Sequence, residues 1–82
     1  MDTKVTSKSN SHSLKIYIDG FIHLRIPRGN GEMSIHSWID DDSKVTIPNY
    51  YIEIHNMGQT IKTTYYKKEL WESVLTELDS NI

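Results

Sequence analysis

The stretch from Leu14 to Ile39 constrains this chain more than any other. Leu14, Ile16 and Ile18 alternate with polar residues, a turn signal falls at Asp19-Gly20, and Ile22, Leu24 and Ile26 alternate again. A breaker-rich segment from Pro27 to Glu32 follows, after which Met33, Ile35 and Ile39 keep the same period, with Ser37 as a polar lapse. Three runs of period two separated by turns predict an antiparallel meander with one buried face.

The turn sets the register. A bare two-residue turn at Asp19-Gly20 pairs Ile16 with His23 and throws the two aliphatic sets onto opposite faces. A turn through Ile18-Asp19 with Gly20 as a left-handed bulge shifts the pairing by one residue. Ile16 then meets Ile22, Leu14 meets Leu24, and the aliphatic residues are buried together, so the bulged hairpin is the expectation. Continuing by parity, Ile26 is expected opposite Met33, Leu24 opposite Ile35, His23 opposite His36 and Phe21 opposite Trp38.

Beyond Ile39, Asp40-Asp41-Asp42-Ser43-Lys44 reads as a solvated acidic turn, without the glycine and final glutamate of a calcium loop. Val45-Thr46-Ile47 begins a fourth strand, and Pro48 breaks its phase before Tyr50, Ile52 and Ile54 resume it. A fifth strand runs from Thr60 to about Tyr66. Pairing Ile54 with Ile61 also sets Glu53 against Lys62, so both faces of this hairpin agree. Leu70, Trp71, Val74, Leu75 and Leu78 then form a single stripe on a helix over about 67–79. No Ser, Thr or Asp caps its start, so packing must hold it.

Met1 to Ser13 is dominated by Ser, Thr, Lys and Asn and reads as a disordered arm, which leaves 14–82 as a single α+β domain. The expected fold is a five-stranded antiparallel meander sheet, curled, with one C-terminal helix packed on its aliphatic face. Curling is expected because a helix is ~10 Å wide while five strands at ~4.8 Å spacing exceed 20 Å. A second copy covering the remainder is the other solution.

A chain of 82 residues without cysteine has neither disulfides nor thiolate metal sites to reinforce a small core. A net charge of −2 argues against a protein whose main task is coating nucleic acid. No apolar run reaches the ~18 residues of a membrane span, and a soluble, cytoplasmic chain with no membrane partner is expected.

The face away from the helix should carry Tyr17, Phe21 and Trp38 in one row and Lys15, His23 and His36 in the next, with Arg25 beside them. Tyr17, Phe21, His23, Arg25, His36 and Trp38 are therefore the candidate binding residues. If the sheet curls or the arm folds over them, they are a minor core instead. Otherwise such an aromatic patch marks a contact site.

Three sharper chemistries find less support in the residues. His23 and His36 across a strand pair, with His55 as a third, are candidate metal ligands, but no carboxylate stands at an obvious ligand spacing, and no metal or other cofactor is expected. The sequence holds no nucleophile elbow, no phosphate-cradling Gly-rich loop between strand and helix and no paired carboxylates at a plausible site, and His55 and Glu53 merely share a strand face, so no catalytic residue is assigned and no enzyme is expected. Aromatics with Lys15, Arg25 and Lys62 could stack single-stranded bases, though the cations are few. The sequence therefore points to a small non-enzymatic protein-binding domain, a regulator or inhibitor of a larger protein or a homodimer, with single-stranded nucleic-acid binding as the alternative.

Overall fold

The computed structural model describes residues 3–28, 33–40, 49–56 and 58–81. Six strands and a helix follow one another: β1 Val5–Ser9, β2 Ser13–Ile18, β3 Phe21–Pro27, β4 Met33–Asp40, β5 Asn49–Asn56, β6 Gln59–Tyr65 and α1 Lys68–Asp79. They build an α+β fold of two three-stranded antiparallel sheets, β1-β2-β3 and β4-β5-β6, with the helix packed on them. The single curled five-stranded sheet expected from the sequence does not form. The expected turn over 27–32 from residue 29 on, the expected acidic turn over 40–44 from residue 41 on, and the expected strand start at 45–47 lie outside the described residues.

The first departure is β1, which forms where a disordered arm was expected. Its residues are polar, yet they pair with β2 from Val5↔Ile18 to Ser9↔Leu14. The turn between them is built by Asn10. Its side-chain oxygen accepts from the amides of His12 (2.7 Å) and Ser13 (2.8 Å), and its own amide donates to the Ser13 carbonyl at 3.0 Å. An Asn side chain that bonds its own backbone two or three residues on is a turn-former, whatever the composition around it. Ser7 adds a tertiary anchor by donating to Glu77 Oε2 of the helix at 2.7 Å.

The second departure is the register of the first aliphatic hairpin. Asp19 (φ 51°) and Gly20 (φ 86°) form a two-residue turn closed by Ile18↔Phe21, the twist that suits a tight hairpin. The phase is corrected inside β3 instead of at the turn. Tyr17 pairs with Ile22, but Ile16 pairs with Leu24 and Leu14 with Ile26, so His23 is an extra, bulged residue. Leu24 and Ile26 are thereby buried beside Leu14 and Ile16. Ile22 lies on the wrong side of the bulge and stays on the outer face.

The third departure is the partner of β4. It pairs with β5 without interruption from Met33↔Asn56 to Asp40↔Asn49, and not with β3. None of the expected pairs Ile26–Met33, Leu24–Ile35, His23–His36 and Phe21–Trp38 exists. The chain meets the covering problem by splitting the sheet: the narrow helix packs against β1 and β2 of one sheet and β5 and β6 of the other. The hairpin of β5 and β6 takes the expected register, Ile54↔Ile61 and Glu53↔Lys62.

The core therefore has three sources: Leu14, Ile16, Leu24 and Ile26 from one sheet, Ile52, Ile54 and Tyr65 from the other, and Val74 and Leu78 from α1. The helix begins at Lys67 with no side-chain cap, and packing holds it in compensation. Trp71 rests on Tyr50 at 5.2 Å between centroids and donates its indole N–H to the Tyr51 carbonyl at 3.0 Å. Two polar contacts join the sheets directly, His23 Nε2 with the Tyr65 hydroxyl at 2.6 Å and the Asn56 amide with the Pro27 carbonyl. Among the described residues, no helix is long and apolar enough to cross a membrane.

Candidate functional site

Splitting the sheet redistributes the candidate residues. Tyr17, Phe21, His23 and Arg25 belong to the first sheet, His36 and Trp38 to the second. The row of Tyr17, Phe21 and Trp38 does not exist, because Tyr17 pairs with Ile22, Phe21 with Ile18 and Trp38 with Tyr51. The row of Lys15, His23 and His36 fails for the same reason. His23 keeps an exposed side, but its ring meets Tyr65 of the second sheet edge-on at 5.4 Å. Burial there lowers the His23 pKa and raises that of Tyr65, with a hydrogen bond from Thr63 acting in the opposite sense on Tyr65.

On the second sheet, Trp38 stacks on Tyr51, its direct cross-strand neighbour, at 5.2 Å and 15° between planes. One face of the indole is thus supported, and the residue stays exposed. Next to it His36 meets His55 edge-on at 5.3 Å, and His55 Nε2 lies 2.6 Å from Glu53 Oε1, which also faces Lys62 at 3.8 Å. Thr60 stands 3.3 Å from His55 Nδ1, its cross-strand neighbour. Hydroxyl, imidazole and carboxylate therefore follow in line, as β-pairing of three polar residues arranges them on an open sheet. Among the described residues, no group of three or more His, Cys, Asp or Glu could hold a metal ion.

The edge of this sheet is its most unusual part. β4 runs eight residues with no bulge, no proline and no charge before Asp40. Sheet edges are ordinarily blunted by lysine, proline, bulges or brevity, because every second residue offers an unpaired N–H and C=O. The helix lies over β5 and β6, leaving β4 one strand beyond its cover. Both faces of β4 consequently carry exposed apolar surface: Trp38 is 43% exposed on the outer side and Ile39 47% on the inner. Phe21 (79%), Ile22 (56%) and Tyr66 (72%) are also exposed, each within two residues in sequence of the His23–Tyr65 contact.

The first sheet presents a different surface. Lys8, Lys15 and Arg25 lie directly opposite one another across its three strands, and Lys8 Nζ sits 5.6 Å from the centre of the Tyr17 ring. Like charges so placed repel, and no carboxylate shares that face among the described residues. Sequence reasoning missed Lys8, because it belonged to the supposed arm, and missed Ile39, because the helix was expected to cover it.

No protein-family model matches the chain, and no curated protein or solved structure shows significant similarity to it.

Proposed function

We propose that this chain is a non-enzymatic protein-binding domain that recognises its partner by strand addition at β4, acting as a small regulator or inhibitor of a larger protein. The observation that carries the reading is the unbroken, nearly uncharged strand β4, which among the described residues pairs on one side only, with Trp38 on one face and Ile39 on the other. Main-chain hydrogen bonds along such an edge supply affinity, and side chains alternating to either face supply specificity. Trp38, already ordered against Tyr51, would lose little freedom on binding and is the expected anchor.

The row of Lys8, Lys15 and Arg25 beside Tyr17 favours a second reading, a single-stranded nucleic acid lying across the first sheet. One experiment separates the two. The full chain, Trp38→Ala and the double variant Lys15→Ala/Arg25→Ala are used to capture partners from lysate of the source organism, with and without nuclease. The protein-binding reading expects a nuclease-resistant partner weakened roughly tenfold or more by Trp38→Ala and untouched by the double variant. Nuclease-sensitive material lost in the double variant would replace it with the second reading.

A further inference from the structure

Strand addition at β4 requires a strand that matches both of its faces, and the chain itself contains one. Resting on the strand-addition reading above, we propose that the occupant of the β4 edge is β4 of a second copy, paired antiparallel about a twofold axis through Ser37.

The register follows from parity. Residues Ser34, His36, Trp38 and Asp40 point outward and Met33, Ile35, Ser37 and Ile39 inward, as their partners on β5 require. Two β4 strands related by a twofold axis keep like faces together only if the axis passes through a residue and not between two. With the axis at Ser37, Ile35 of each copy faces Ile39 of the other on the inner side. His36 faces Trp38 twice on the outer side. Ser34 faces Asp40 twice, placing a hydroxyl donor against the one charge on the strand. Ser37, the polar lapse in the aliphatic row, meets its own copy at the axis, where two small side chains fit. Moving the axis to His36 sets that imidazole against itself and Trp38 against Ser34, losing these matches.

The result is a closed pair with one continuous sheet, β6-β5-β4 joined to β4-β5-β6 of the second copy. Parallel pairing would bring the two Asp40 carboxylates side by side and, being a translation, would not close. The antiparallel pair separates them by about 20 Å, six residues at ~3.3 Å each. It also places the exposed Ile39 of each copy beside the half-buried Ile35 of the other, at the part of the sheet that α1 does not reach.

The test uses the full chain and exploits its lack of cysteine. Sedimentation over a concentration series should show a reversible monomer–dimer equilibrium. Ser34→Asp, at an exposed position, opposes Asp40 twice and should raise the dissociation constant about tenfold. Ser37→Cys should form an intermolecular disulfide under mild oxidation, since directly paired residues across an antiparallel ladder lie ~4.5–5.5 Å apart at Cα. Ser34→Cys, far from its own copy in this register, should not. A chain monomeric at every concentration, or a Ser37→Cys variant that cross-links no better than Ser34→Cys, overturns the proposal. A monomer that still captures a partner lost in Trp38→Ala overturns the homodimer alone and leaves strand addition standing.

Discussion

Deleting His23 is the most revealing perturbation of the fold, because deletion of one residue from a strand ordinarily inverts every side chain beyond it. Here the expectation is the opposite. His23 is the extra residue between Ile22, which pairs with Tyr17, and Leu24, which pairs with Ile16. Removing it should leave a regular ladder in which Leu24 and Ile26 keep their buried places. The loss is then confined to the hydrogen bond with the Tyr65 hydroxyl, which keeps its bond from Thr63, and one such bond contributes about 0.5–1.5 kcal/mol. Deleting Arg25 instead carries Ile26, now fully buried, to the outer face and brings Pro27 inward. That loss resembles a buried-aliphatic truncation, about 2–5 kcal/mol, a large share of the ~4–12 kcal/mol typical of a domain this size. Urea unfolding followed by tryptophan fluorescence measures both, since Trp71 reports on the helix–sheet contact. A His23 deletion that unfolds the chain as readily as the Arg25 deletion would refute the bulge and the packing derived from it.

The His23–Tyr65 contact also predicts the pH profile. Burial lowers the His23 pKa from 6.5, so the unfolded chain takes up the proton first; stability is full above pH 6.5 and declines as pH falls from there through the lowered value. His23→Gln should flatten that acid limb in chemical denaturation series, and a limb unchanged by the substitution would assign it elsewhere. Tyr65 behaves in the opposite sense: its pKa is raised above 10, so stability is full below pH 10 and declines above it, and Tyr65→Phe should remove this alkaline decline.

What could be read from the sequence, and what could not, follows from the kind of signal each element carries. The stripe from Leu70 to Leu78 and the double agreement of Ile54–Ile61 with Glu53–Lys62 are local patterns in which one register satisfies both faces. Parity in Leu14 to Ile26 required one extra residue in the hairpin, and the aliphatic pattern favours a bulge at Gly20, which would bury Ile22 as well, over the bulge at His23, which leaves Ile22 outside. β1 has no apolar alternation because its inward Ser7 bonds to Glu77 and Asn81 of the C-terminal segment, partners that no local window contains. The turn signal that would have revealed it, Asn10-Ser11-His12-Ser13, was masked by the surrounding polar composition. The pairing of β4 was misassigned because sequence adjacency favours β3, whereas β5 offers eight uninterrupted pairs. The candidate residues therefore lie on two different sheets, and the single neighbourhood expected of them does not form. Trp38 remains exposed on the second sheet, while His23 joins the contact between the sheets.

Among the described residues β4 has one strand partner, β5, and strand addition requires that its other edge be free to take a second. Residue-resolved amide hydrogen exchange tests this directly. In dilute solution, alternate β4 amides between Ser34 and Ile39 should exchange fast while those bonded to β5 are protected, and the fast set should gain protection as concentration rises or a partner is added. Uniform protection of all β4 amides in dilute monomer would mean that the edge is already covered by the chain itself, and would contradict both strand addition and the dimer built on it.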